Sequence, residues 1–359
     1  MTLHIGLVGP LPPPYGGMAN QAKQLYQLLQ QEAAIEVSFV QTNKPYTNQL
    51  VAKIKGARAL LRLAAYVVEV FKLAGKVDVI HVLANSGWSW QLFAAPVIWV
   101  AYLRKTPVII NYRGGEASTY FQKSIKWVAP SMNKASAIVV PSGYLQHVFT
   151  EFDFATQVIP NIINLERFKN TQNITVSAKA PHLIITRNLE AIYGIETAIN
   201  AVAIVQRTIS GIKLSIAGSG PQKDELQSLV QDLGLQNNIN FTGKLQPDEV
   251  AALYQDADIM LNPTTVDNMP NSVLEAMASG VAIVSTNVGG IPYIVEHNQT
   301  ALLVDVNNAE QMAVSIVSLI NDKQLYSNLI NNGSVEVQQY AWSHIKMQWV
   351  NLYRALAKK

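Results

Sequence analysis

The chain has 359 residues, 49% hydrophobic and 14% charged, which excludes a disordered or tail-like protein and leaves room for two ordinary domains. It has no cysteine, so disulfides, thiolate metal sites and cysteine nucleophiles are excluded, and a reducing compartment is the matching environment. The net charge of +3 is unevenly spread: residues 1–170 hold 16 Lys and Arg against 8 Asp and Glu, and the rest hold 11 against 16. The basic half either faces something anionic or reflects ordinary surface drift.

The chain opens on a strand-like run, "HIGLVG" (4–9), without the basic start, long apolar stretch and cleavage site of a secretory leader. The expected location is cytoplasmic, at most peripheral on the inner face of the cell membrane. Further strands read at 35–41, 77–83, 107–113 and 137–142. Helix-period segments fill 18–31, 50–75, 89–104, 121–134 and 143–152 between them, which implies βαβ units and a parallel sheet. The apolar run 88–103 is shorter than the roughly 20 residues a membrane span needs and contains Pro96, so a buried core helix is expected. Residues 51–76 carry Lys53, Lys55, Arg58, Arg62, Lys72 and Lys76 around "LLRLAAYVVEVFKLA". That pattern fits an amphipathic helix on an anionic membrane surface, and equally a solvated helix face.

A polar, aperiodic stretch at 170–182 precedes a second βα series. Its strands read at 183–188, 213–220, 239–243, 258–264, 282–290 and 301–305, with helices between them. The expected architecture is α/β: two Rossmann-like domains, 1–165 and 166–335, facing each other across a ligand cleft. An amphipathic helix closes the chain within 336–359 and is expected to return toward the first domain.

Several stretches carry candidate chemistry. Gly16 and Gly17 sit between the first strand and a helix, where backbone can approach a ligand; the spacing is not the dinucleotide G-x-G-x-x-G, which disfavours an oxidoreductase. Arg187 ends a strand before a long helix, a place for a cation that neutralises phosphate. "AGSGP", with Gly218, is a second strand-to-helix turn. In "TTVDNMPNSVLEAMASG" (264–280), Ser272-x-x-Glu275 spells a capping box, which explains Glu275 locally but leaves Asp267 and Pro270 unexplained. The alternative covers all of them: free amides at 268–273 receive a diphosphate or sugar, Asp267 takes sugar hydroxyls and Glu275 a ribose diol. Asp256-Ala-Asp258 spells D-x-D but closes a helix and opens a strand, so it reads as structural. The six histidines show no metal-ligand spacing. His81, at a strand end, is a candidate for the cleft or the core, and Glu116, after the Gly114-Gly115 turn, is a candidate for orienting an acceptor.

Asp267-x7-Glu275 within "DNMPNSVLEAMASGVAIVSTNVGGIP" resembles the E-x7-E region of the large group of retaining GT-B glycosyltransferases (group 1, family 4 type). The resemblance continues in "VVPSGYLQHVFTEF", "PNIINLERF", "AGSGPQKDELQSLVQDLGLQNNINFTGKL" and "YQDADIMLNPT", in order along nearly the whole chain. It implies an acceptor-binding first domain and a second domain holding a nucleotide sugar, UDP-type favoured. Arg187 would meet the diphosphate, Glu275 the ribose and Asp267 with Asn268, Met269 and Pro270 the transferred sugar. Gly243, Lys244 and Leu245 would line the base, with Gly218 and Ser272 in the donor site and Gly16 and Gly17 approaching from the first domain. Transfer would retain configuration without a metal or other cofactor, to a glycan or lipid-linked acceptor in polysaccharide or glycolipid synthesis; nucleic acid is not an expected partner. Two positions depart from the family pattern. Tyr193 stands before Gly194 where a lysine is usual, and Arg113 stands before Gly114 where a histidine is usual. Arg113 is expected to supply the missing positive charge. The competing readings are a nucleotide-sugar epimerase of the same fold and a catalytically inactive, donor-binding partner subunit.

Overall fold

A computed structural model of the chain describes residues 2–44, 57–169, 176–177 and 179–357. The chain divides into two compact units, Met1–Ile162 with Trp342–Lys359, and Ile163–Ala341. The division falls at Ile162, and the final helix counts with the first unit from Trp342 onward.

The first unit runs β1 (Leu3–Gly9), α1 (Gly17–Gln30), β2 (Ile35–Gln41), α2 (Ala57–Ala74), β3 (Val79–Ala84), a π-helical turn (Trp90–Ala94), α3 (Ala95–Arg104), β4 (Val108–Tyr112), α4 (Ala117–Met132), β5 (Ala137–Val140), α5 (Gly143–Thr150) and β6 (Gln157–Val158). The strands pair in parallel in the order β2-β1-β3-β4-β5-β6. β3 and β4 are buried along their whole length, as mainly apolar strands covered on both faces are, with His81 and Asn111 the polar residues within them. Buried side chains of α2, α3, α4 and α5 share one core on one face of this sheet.

The second unit runs β7 (His182–Thr186), α6 (Ile195–Gln206), β8 (Lys213–Ala217), α7 (Lys223–Asp232), β9 (Ile239–Gly243), α8 (Pro247–Gln255), β10 (Ile259–Asn262), α9 (Asn271–Ser279), β11 (Ala282–Thr286), β12 (Leu302–Val304), α10 (Ala309–Asn321) and α11 (Lys323–Glu336). Its parallel sheet has the order β12-β11-β10-β7-β8-β9. The chain leaves β7 toward β8 and later returns on the other side of β7 as β10. The loops after β7 and β10 therefore diverge, and such a switch point opens a crevice at the carboxyl edge of the sheet. Asp256 and Asp258 lie at the opposite edge. Asp258 accepts a hydrogen bond from the His182 amide at 2.7 Å, and the His182 imidazole meets the Asp256 carbonyl at 2.8 Å, so the D-x-D ties strand beginnings together.

The last helix, α12 (Trp342–Ala357), packs on β1 and β3. Glu32 accepts from Trp342 Nε1 at 3.1 Å and pairs with Lys346. The core helix expected over 88–103 forms and is buried on one side only. Val97, Ile98 and Ala101 are buried, while Trp99, Tyr102 and Leu103 are exposed. Pro96 falls in the first turn of α3, directly after the π-helical turn, where the Ala95 amide reaches back to the Trp90 carbonyl. Of the basic residues around 51–76, Lys53 and Lys55 lie outside the described residues.

Candidate functional site

The loops at the second unit's switch point bring together Arg187, Tyr193, Asp267 and Glu275. Arg187 follows β7 directly. A short 3-10 turn, Ala191–Tyr193, then leads to Gly194, whose φ of 56° lies in the left-handed region that favours glycine. A Cβ at Gly194 would also stand 2.2 Å from the Pro263 carbonyl oxygen, so the two loops touch through backbone. They are stitched at one acceptor: the Ile192 carbonyl receives the Thr265 amide at 2.8 Å and the Thr264 hydroxyl at 3.0 Å. The loop after β11 closes the other side. Gly290 donates its amide to the Asp267 carbonyl at 3.0 Å, and a Cβ there would fall 1.6 Å from the Asn268 carbonyl oxygen.

Within this frame Arg187 and Asp267 form an ion pair, both largely shielded from solvent. The Arg187 guanidinium carbon lies 4.4 Å from the centre of the Tyr193 ring. Tyr193, at the position where the family resemblance anticipates lysine, thus supports the remaining cation from below. Burial lowers the Arg187 pKa, opposed by Tyr193, Tyr254 and Glu275. The buried Arg187 Nε and Ser272 Oγ have no hydrogen-bond partner among the described residues.

Glu275 does not close a capping box. Pro270 occupies the N-cap of α9 and Asn271 is its first residue, so Ser272 sits two residues too late to cap it. Glu275 instead meets the hydroxyl of Tyr254, which is itself 2.6 Å from Thr186 Oγ1 and 3.0 Å from the Ser272 carbonyl. Desolvation pushes Glu275 up to about 7, against the Tyr254 hydrogen bond and the charges of Arg187 and Arg167. The expected row of free amides at 268–273 is also corrected in part. The Asn268 amide donates to Asp267 Oδ1 at 2.8 Å, and the Val273 amide to the Pro270 carbonyl at 3.3 Å. Met269 and Pro270 are buried beside them.

Gly218 has a packing reason to be glycine: its φ is 156°, and a Cβ would lie 1.9 Å from the Arg187 carbonyl oxygen. Its amide donates to the Gly243 carbonyl at 2.8 Å, which joins the turns after β8 and β9. Lys244 is exposed and Leu245 partly buried next to them.

In the first unit, Gly16 is the extended N-cap of α1, with no atom within 4 Å of a built Cβ, and Gly17 begins the helix. Glu116 is exposed at the N-cap of α4. Arg113 follows β4, donates to Asn161 Oδ1, and reaches Asn111 Oδ1 at 3.2 Å. Burial brings it down to about 10. His81 cannot serve an acceptor. It is fully buried, with Nδ1 2.7 Å from the Tyr353 hydroxyl and Nε2 2.9 Å from Asn111 Nδ2, and the Trp349 ring centre lies 4.6 Å away. Burial and the Arg113 charge lower His81 to about 3, so it is neutral and docks the terminal helix. Sequence reading missed Tyr254, Asn161 and the Gly289-Gly290 contact. Only the last had a signal, a paired glycine just past a strand.

Two family models match, one in each part of the chain: Glycosyl transferases group 1 over residues 166–335 and Glycosyltransferase Family 4 over residues 15–167. The chain belongs to the group 1 glycosyltransferases. It is 32% identical, over 36% of its length and 36% of the relative's, to a GDP-mannose-dependent alpha-(1-6)-phosphatidylinositol monomannoside mannosyltransferase of Mycobacterium tuberculosis. The chain spans well under two thirds of the length of the curated relatives it matches. Among solved structures, sucrose-phosphate synthase from Thermosynechococcus elongatus superposes with a TM-score of 0.79 at 21% identity, covering 99% of both chains. HepE of Anabaena, solved in complex with UDP, gives 0.75 at 18%, covering 99% of this chain and 100% of its own. These likenesses give the fold as GT-B.

Proposed function

We propose that this group 1 glycosyltransferase moves a sugar from a nucleoside-diphosphate donor, UDP-type, to a glycan or lipid-linked acceptor with retention of configuration, in the building of cell-surface polysaccharide or glycolipid. The observation that carries the reading is the convergence of Arg187, Asp267 and Glu275 at the second unit's switch point, beside buried donors that lack partners. A diphosphate supplies what those donors lack, since buried polar groups are seldom left unpaired.

On this reading the diphosphate draws Arg187 from Asp267, and the freed carboxylate accepts hydrogen bonds from the transferred sugar beside Asn268, Met269 and Pro270. Glu275, once ionised, accepts from the ribose diol. Arg187 stabilises the charge that grows on the leaving diphosphate, whose oxygen takes the acceptor's proton, so the protein contributes orientation and charge rather than a covalent partner. No metal is invoked. Gly243, Lys244 and Leu245 line the base, Gly218 and Ser272 complete the donor site, and Gly16 and Gly17 leave room for ligand backbone contact. Arg113 is the second cation and Glu116 an acceptor-orienting carboxylate. The UDP in the HepE structure supports the choice of base. The GDP-mannose of the mycobacterial relative makes GDP-sugars the necessary comparison.

Incubation with UDP- and GDP-sugars and a panel of glycan and lipid-linked acceptors tests the reading. Acceptor-dependent release of nucleoside diphosphate, with a product whose anomeric configuration matches the donor's, is expected. Interconversion of donor sugars without an acceptor would point to an epimerase and contradict it.

A further inference from the structure

Two buried polar side chains interrupt the apolar strands β3 and β4, and they lead to Arg113. His81 on β3 stands opposite Ile109 of β4, and Asn111 lies two residues further along that strand. Side chains alternate along a strand, so His81 and Asn111 share one face of the sheet. The Arg113 amide donates to the Ala84 carbonyl at 2.9 Å, which extends the ladder past β4 and keeps Arg113 on the same face. Tyr353 and Trp349 of α12 cover that face at His81. His81, Asn111 and Tyr353 are wholly buried.

The donors and acceptors along this row fix one another. Arg113 Nε can only donate, so Asn111 Oδ1, 3.2 Å away, accepts. Asn111 Nδ2 then faces His81 Nε2 at 2.9 Å and donates to it, which leaves the ring proton on Nδ1. His81 Nδ1 donates in turn to the Tyr353 hydroxyl oxygen at 2.7 Å. A proton on His81 Nε2 would oppose the Asn111 N–H. Turning the carboxamide to relieve that would set an N–H against the Arg113 Nε–H. Burial and the Arg113 charge lower His81 to about 3, which keeps the ring neutral as the row requires.

The other side of the guanidinium is built with the same chemistry. Arg113 Nη1 donates to Asn161 Oδ1. The next residue, Ile162, exchanges two hydrogen bonds with the buried Gln21 of α1: its carbonyl accepts from Nε2 at 2.8 Å and its amide donates to Oε1 at 3.0 Å. Two carboxamides from separate elements thus grip the cation. Each orients it without cancelling its charge, as a carboxylate would. A polar row inside a sheet is no more stable than an apolar one even when every member is paired. Its place beneath a single cation therefore points to orientation rather than to stability.

We infer that Asn111 and His81 are positioning residues that aim the Arg113 guanidinium, with the terminal helix setting the His81 ring through Tyr353. The use of that cation in sugar transfer rests on the function proposed above, whereas its orientation does not.

Nitrogen NMR of the full chain, isotope-labelled at histidine and arginine, tests it, with His81→Leu and Arg113→Ala assigning the two signals. In wild type the His81 ring should carry its proton on Nδ1 alone, and the Arg113 Nε–H should exchange slowly. Asn111→Asp should put a proton on His81 Nε2, because an ionised carboxylate can only accept. Asn111→Leu should move the Arg113 Nε–H signal and speed its exchange about tenfold or more. Tyr353→Phe, which keeps the ring stacked on Trp349, should do the same from the far end of the row. With the UDP-sugar and acceptor that the panel above identifies, Asn111→Leu should lower kcat about tenfold or more and change the donor KM little. Adding Asn111→Leu to Arg113→Ala should cost nothing further. A wild-type ring protonated on Nε2, an Arg113 signal indifferent to both substitutions, or an additive loss in the double variant would each overturn the proposal. Unchanged turnover in Arg113→Ala would count against Arg113 as a cation of the transfer, and its Nε–H signal would still decide the positioning.

Discussion

Glu275→Gln gives the sharpest test of how the second unit's crevice is built. Burial holds the Glu275 carboxyl at about 7 against an ordinary 4.5. A folded-state pKa above the unfolded one means the native protein binds the extra proton between those two values. Stability from this group is therefore full below about 4.5 and is lost as pH rises through about 7. The shift corresponds to ~3 kcal/mol as an upper bound, because relaxation and partial solvation reduce it. Glutamine carries no ionisation, so the stability of Glu275→Gln relative to wild type should rise by up to about 3 kcal/mol between mildly acidic and neutral pH, then level off. His81 imposes the opposite slope: held near 3, it favours the folded state above its ordinary 6.5 and costs stability as pH falls below that. The difference between variant and wild type cancels this contribution, which a single pH profile would not. Urea titrations followed by far-UV circular dichroism suit the measurement. Tryptophan fluorescence reports the other unit, since all six tryptophans lie outside Ile163–Ala341. A difference that stays flat with pH, or falls, would refute the reasoning, because it would mean the ionised carboxylate is already well solvated or well paired.

Gly290→Ala should cost about 1–3 kcal/mol, since the new methyl meets the Asn268 carbonyl rather than a side chain that can move; a urea midpoint and the donor KM read the two consequences. Gly16→Ala meets nothing within 4 Å and should change stability by no more than about 1 kcal/mol in the same titration, while impairing turnover. Tyr193→Phe should leave donor affinity unchanged by calorimetry, whereas Tyr193→Ala should weaken it about threefold by removing the ring beneath Arg187. His81→Leu should cost about 2–4 kcal/mol and shift Trp349 emission to the red as the terminal helix loosens, because Tyr353 and Asn111 both lose their partner.

The alternation of apolar strands and helical periods was enough to read both sheets from the chain, because parallel strands buried on two faces leave apolar runs such as "AIVV" in β5. Boundaries moved by a few residues where loops borrow the ends of strands, as at Arg187. The approximate place of the candidate site was legible from "DNMPNSVLEAMASG", since acids and a proline before a helix stand out from the apolar background. Its wiring was not. Ser272 and Glu275 matched a local capping pattern, and only the position of Pro270 in space shows that the helix starts too early for it. Tyr254 and Asn161 come from elements distant in sequence, where nothing local distinguishes them from packing residues. The outward face of α3 was not legible for a related reason: apolarity on every side reports composition, not which side the sheet covers.

The most direct measurement is thermal unfolding of wild type, Arg187→Ala and Glu275→Gln with a panel of UDP- and GDP-sugars. A ligand that binds only the folded chain raises its melting temperature, by about 3 kcal/mol of added stability at a hundredfold excess over Kd. The expected result is a rise with a UDP-sugar in wild type that is lost in Arg187→Ala and reduced in Glu275→Gln. A panel without any rise, or a rise of equal size in all three proteins, would contradict the assignment of the donor site to these residues.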